Sequence, residues 1–187
     1  MKKFVLFLTL FRIFAGPFIF ILVFVINSSL LALALFIAAS VSDFLDGKLA
    51  RSYNVESSMG ATLDPIADKI LVLFALFTIT LITKDPFIGL MSAVILAREF
   101  WVSALREYAA KHSISNTTEV TFLAKSKTSV QFLAISLFFL GLGIGNALVV
   151  FLASFMLFLA LLLTLKTALD YSVKALNASS YDTSQSI

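Results

Sequence analysis

Six apolar runs, each near the length that crosses a bilayer, follow one another at residues 10–26, 30–50, 61–82, 86–108, 121–140 and 146–168. A spanning helix needs about 20 apolar residues, because in lipid its backbone must satisfy its own hydrogen bonds. Short polar breaks separate the runs: Asn27-Ser28-Ser29, Arg51 to Ser58, Lys84-Asp85-Pro86, Lys111 to Glu119 and Gly141 to Asn146. The pattern predicts an all-α integral membrane protein of six transmembrane helices. With 60% hydrophobic and 13% charged residues, the composition is that of a chain solvated by lipid. The start, Lys2-Lys3 and an apolar run, has the outline of a signal peptide. Arg12 interrupts it, however, and the following segments are just as apolar, so a retained span is expected. Residues 1–176 read as one membrane domain, and the Ser-rich tail 177–187 is expected to be disordered.

Six spans put both termini and the second and fourth connections on one side. Of the 14 Lys and Arg residues, only Lys84 falls on the other. The positive-inside rule makes the charged side cytoplasmic, an N-in, C-in topology in a bacterial inner or plasma membrane. The same charge suits anionic membrane lipids, and no nucleic-acid partner is expected. No Cys is present and His112 is the one histidine. Thiol chemistry, thiolate metal sites and histidine-rich metal cages are therefore excluded, and carboxylates must carry any acid or base work.

Four carboxylates stand where apolar sequence is expected, at the end of the second span and the start of the third. Asp43 and Asp46 are spaced i, i+3, and Asp64 and Asp68 i, i+4, so each pair shares one helical face. Two antiparallel helices can aim all four at one point, where uncompensated charge near a bilayer would be costly. Something positive must bind them. Oxygen-only ligands favour Mg2+ or Mn2+, and four carboxylates are enough for two ions, a known device for phosphoryl displacement. Gly47, Ala50 and Gly60 are small enough to admit a nucleotide or another helix. Arg51 suits either a diphosphate or an interfacial anchor.

The run Asp43-x-x-Asp46-Gly47-x-x-Ala50-Arg51, eight residues, then Gly60-x-x-x-Asp64-x-x-x-Asp68 resembles the complete signature of the CDP-alcohol phosphatidyltransferases. That resemblance implies six helices burying a dimetal site near the cytoplasmic face, a homodimer, and transfer of a phosphatidyl group from a CDP-linked lipid to an alcohol with release of CMP. It implies that Asp43, Asp46 and Asp64 bind the metals, and that Asp68 binds the second metal and acts as base on the acceptor hydroxyl. Gly47, Arg51 and Ser57, with Ala50 and Gly60 in the same signature, would line the CDP-diacylglycerol site. Leu8-Thr9-Leu10-Phe11-Arg12 is similar to an N-terminal element of the family, with Phe4 to Phe7 where many members carry Pro-Asn. Thr9 is expected near the nucleotide with Arg12 beside it.

A second charged cluster comprises Arg98, Glu99, Arg106 and Glu107 on the fourth span, then Lys125 and Lys127. Arg98 and Arg106 are a little over two turns apart, nearly on one face, and intramembrane arginines point to function or to pairing with Glu99 or Glu107. Lys125 and Lys127 suit the same pocket or an interfacial position. An acceptor carrying its own phosphate needs such a cationic pocket. Ala97-Arg98-Glu99, Ser103 to Glu107, Lys125-x-Lys127-Thr128 and Asp64-Pro65-x-Ala67-Asp68-Lys69 resemble the phosphatidylglycerophosphate synthase branch, over most of residues 40–131. That implies sn-glycerol 3-phosphate as acceptor. The competing expectations are a CDP-type cardiolipin synthase, a phosphatidylinositol phosphate synthase and, from another class, a divalent-cation transporter. Transporters commonly show internal repeats and midplane sites, whereas these acids sit at one edge beside cations.

Overall fold

The computed structural model describes the backbone of residues 2–53, 58–111 and 122–185, and the side chains of residues 6–43, 45, 63–109 and 127–173. Among the described residues the chain is all-helical: α1 (Lys2–Phe24), α2 (Ser29–Tyr53), α3 (Ser58–Thr83), α4 (Pro86–Lys111), α5 (Phe122–Ile144) and α6 (Ala147–Gln185). All but α2 contain an apolar segment long enough to cross a membrane; in α2 the apolar stretch measured among described residues is Ser29–Asp43. The helix α1 begins well before residue 10, because Phe4 to Leu8 continue the apolar run without a breaker. This places Thr9 and Arg12 inside the helix.

Three tight connections repeat one local solution. Asn27, Lys84 and Gly145 take left-handed backbone conformations, with φ of 57°, 53° and 67°, and each ends a helix as an αL cap does. The next residue, Ser28, Asp85 or Asn146, caps the following helix. Ser28 Oγ accepts from Leu31 N at 3.3 Å, Asp85 Oδ1 from Phe87 N at 2.8 Å, and Asn146 Oδ1 from Leu148 N at 3.0 Å. Pro86 adds a fixed φ and a missing donor at the first position of α4, where neither costs a hydrogen bond. These pairs are the polar breaks seen in the sequence. At the carboxyl end α6 runs on to Gln185, so the tail predicted to be disordered is helical through that residue. No Gly or Pro interrupts α6, and extending an existing helix avoids the cost of nucleation.

The helices close into a ring in which α1 packs on α2, α2 on α5, α5 on α6, α6 on α4, α4 on α3 and α3 on α1, with α3 also reaching α5 across the interior. Ile19, Phe36, Leu71, Leu76, Ile79, Ile95, Phe138, Phe139 and Leu157 fill that interior. The Phe36 ring stacks on Phe132 with centroids 5.2 Å apart. Lipid is as apolar as these side chains, so close packing rather than water exclusion must hold the ring together. Gly141 is one point of such contact: an added Cβ would lie 2.9 Å from the Val150 backbone nitrogen of α6. Gly141→Ala is expected to cost about 1–3 kcal/mol by forcing the two helices apart. A thermal melt in detergent checks this, and an unchanged midpoint would show that α5 and α6 part freely there.

Candidate active site

Sequence spacing places Asp64 and Asp68 on one face of α3 and Asp43 near the facing part of α2, and the bundle turns both faces inward. What meets them is a side chain from α1. Arg12 is fully buried, with 0% of its side chain exposed, while Asp43, Asp64 and Asp68 retain 48%, 38% and 44%. Its Nη1 donates both to Asp43 Oδ1 and, at 2.5 Å, to Asp68 Oδ1. Its Nη2 donates to Asp64 Oδ1 at 2.9 Å. One turn earlier on the same helix, Thr9 Oγ1 donates to that Asp64 oxygen at 2.7 Å. Thr9, expected beside the nucleotide, thus hydrogen-bonds to one of the aspartates.

Two carboxylates from different helices converge on a single nitrogen atom, which is the convergence a small cation also requires. The donors are anionic oxygens, the set that suits Mg2+ or Mn2+. They fit the expected ions in chemistry and focus. Among the described residues, however, no three His, Cys, Asp or Glu side chains form a ready cation cage. The side chains of Asp46, Gly47, Ala50, Arg51, Ser57 and Gly60, all expected at the metal or CDP-diacylglycerol site, lie outside the described residues, as does Lys125.

A cavity of about 750 Å³ opens beside the aspartates, and its lining joins the two charged clusters of the sequence. Asp43 and Asp68 line it together with Arg98, Arg106 and Lys127, with Glu99 among them. Glu99 forms an ion pair with Lys127 and a longer contact, 3.5 Å, with Arg98. The pairing of basic residues with Glu99 that the sequence left open thus occurs inside the cavity.

The two arginines differ in a way that helical spacing did not reveal. Arg98 is braced to α6, its Nε donating to the Thr164 carbonyl at 3.0 Å and its Nη2 to Thr167 Oγ1 at 2.5 Å. Arg106 donates from Nη2 to the Tyr171 hydroxyl at 2.8 Å, with its guanidinium 4.9 Å from the Tyr171 ring centroid. Among the described residues its buried Nε has no hydrogen-bond partner. Lys69 and Gln131 also line the cavity, and Lys69 Nζ lies 5.9 Å from the centroid of Phe100. Lys69 follows Asp68 directly, but nothing in spacing alone separates it from an interfacial lysine.

A profile of the CDP-alcohol phosphatidyltransferases matches residues 6–166, which include both charged clusters and all six helices in part or whole. The chain belongs to the CDP-alcohol phosphatidyltransferase family. Curated relatives carry the name CDP-diacylglycerol–glycerol-3-phosphate 3-phosphatidyltransferase. One from Rickettsia typhi is 43% identical over 175 residues, covering 91% of this chain and 96% of the relative. Another, from Shigella flexneri, is 37% identical over 167 residues, covering 88% and 90%. A third, from Cereibacter sphaeroides, reaches 50% identity over 117 residues, covering 62% of this chain and 52% of the relative. The family match spans the helices that carry Arg12, the aspartates and the cationic cavity.

Proposed function

We propose that this phosphatidyltransferase moves a phosphatidyl group from CDP-diacylglycerol to sn-glycerol 3-phosphate, yielding phosphatidylglycerophosphate and CMP. One observation carries the choice of acceptor: Asp68 and the basic residues Arg98, Arg106 and Lys127 line the same cavity. An acceptor phosphate held by those cations leaves the terminal hydroxyl at the far end of the molecule facing Asp68. The names of the relatives from Rickettsia typhi and Shigella flexneri support the same reaction.

In this reading Asp68 takes the hydroxyl proton as the acceptor oxygen bonds to the lipid-bearing phosphorus. The bond from that phosphorus to the bridging oxygen breaks, and CMP leaves. Two divalent ions, held by Asp43, Asp46, Asp64 and Asp68, would offset the charge of the donor diphosphate and of the departing CMP. Gly47, Ala50, Arg51, Ser57 and Gly60 are proposed to line the donor site, and Lys125 to join the acceptor cations. Six spans with both termini cytoplasmic would present the cavity to the water-soluble acceptor, and the family resemblance supports a homodimer.

The test is CMP release from CDP-diacylglycerol in mixed micelles, with Mg2+ or Mn2+ restored after chelation, across a panel of acceptors. Activity is expected with sn-glycerol 3-phosphate and not with phosphatidylglycerol or inositol phosphate. Activity with one of the latter and none with sn-glycerol 3-phosphate would reject this acceptor. Full activity after chelation would reject the ions.

A further inference from the structure

The proposed reaction uses the carboxylates, but the residue most deeply placed among them is Arg12. A buried guanidinium is costly unless it is paired, and here three aspartates from two helices pair with its Nη1 and Nη2. Asp43 and Asp68, with no cation at their focus, would repel one another across the α2 and α3 interface. Arg12 removes that repulsion from the α1 side, while the exposed portions of Asp43 and Asp68 face the cavity. A divalent ion approaching from the cavity must therefore share its ligands with a fixed positive charge. Coupling between two binding events is reciprocal: whatever Arg12 takes from the ion's affinity, the ion takes from Arg12's hold on the carboxylates.

We infer that Arg12 is an internal competitor of the divalent ions: it keeps the aspartates assembled when no ion is bound, and it weakens ion binding so that the ions exchange. The inference rests on the dimetal reading above. It assigns Arg12 a positioning role and a consequence opposite to that of an ordinary structural support, because its removal should tighten metal binding.

The measurement is Mn2+ binding to detergent-purified protein, read by the electron paramagnetic resonance signal of free Mn2+, with thermal melts in chelator and in Mn2+. Arg12→Gln is expected to bind Mn2+ at least about fivefold more tightly than the parent, the lower end of typical coupling between sites. Its melting temperature should fall in chelator and rise more than the parent's on adding Mn2+. Arg12→Lys supplies a charge that cannot bridge three carboxylates, and it should also tighten Mn2+ binding, by a smaller factor. If Arg12→Gln folds only with Mn2+ present, that too is the expected behaviour. If it folds in neither condition, Arg12→Lys decides. Mn2+ affinity equal to or weaker than the parent's, in whichever variant decides, overturns the inference while leaving the metal site standing. No Mn2+ binding by parent or variant overturns the dimetal reading itself.

Discussion

Asp68→Asn is expected to bind CDP-diacylglycerol nearly as the parent does, yet to transfer its phosphatidyl group about 10³-fold more slowly, within the range for loss of a positioned base. The amide keeps a carbonyl oxygen where Asp68 Oδ1 now receives Arg12 Nη1, so the packing of α1 against α3 is retained. It cannot accept the acceptor's proton. Asp43→Asn is expected to differ: in the proposed reaction Asp43 would hold the ions that the donor diphosphate meets, so donor binding that depends on Mn2+ should be lost along with transfer. Calorimetric binding of the donor in Mn2+, beside single-turnover CMP release, separates the two. An equal loss of donor binding in both variants would dissolve the division of labour and leave all four carboxylates as one undivided metal site.

How much of this could be read from the sequence depends on the range of the physics involved. Helix boundaries at Asn27-Ser28, Lys84-Asp85 and Gly145-Asn146 were legible because a cap is decided by neighbours within a turn. The convergence of Asp43 with Asp64 and Asp68 was legible because helical periodicity places them on faces and unpaired charge near lipid demands a partner. The identity of that partner was not. Arg12 lies 31 residues from Asp43 and 56 from Asp68, and only the packing of α1 against α2 and α3 brings it there. The rule that marked the aspartates, a charge inside an apolar run, also marked Arg12, but the family resemblance placed Arg12 beside the nucleotide and the rule could not name it as the aspartates' partner. The contrast between Arg98 and Arg106 was beyond reach in another way. Both point along one face of α4, and what separates them is which α6 residue each meets, Thr164 and Thr167 for one, Tyr171 for the other.

That contrast makes a prediction about the acceptor. Two of the three nitrogen donors of Arg98 are engaged by α6 itself, so its side chain acts as a brace between α4 and α6 as well as a charge in the cavity. Lys127 is already paired with Glu99. Arg106 is held on one side by the Tyr171 hydroxyl and ring, which fix its plane without neutralising it. Its charge, unlike that of Lys127, is not matched by a described carboxylate in direct contact, and it therefore has most to gain from a phosphate. Arg106→Gln should raise the KM for sn-glycerol 3-phosphate roughly 10- to 100-fold, as expected for a charge-assisted hydrogen bond contributing ~1.5–3 kcal/mol. The KM for CDP-diacylglycerol should stay within about twofold. Arg98→Gln, by contrast, should lower the melting temperature by leaving the Thr164 carbonyl without its donor, and only then affect the acceptor. Steady-state CMP release with each substrate varied in turn, paired with thermal melts of both variants, tests the distinction. A rise in donor KM in Arg106→Gln as large as the rise in acceptor KM would place this arginine on the nucleotide and move the acceptor phosphate toward Lys127.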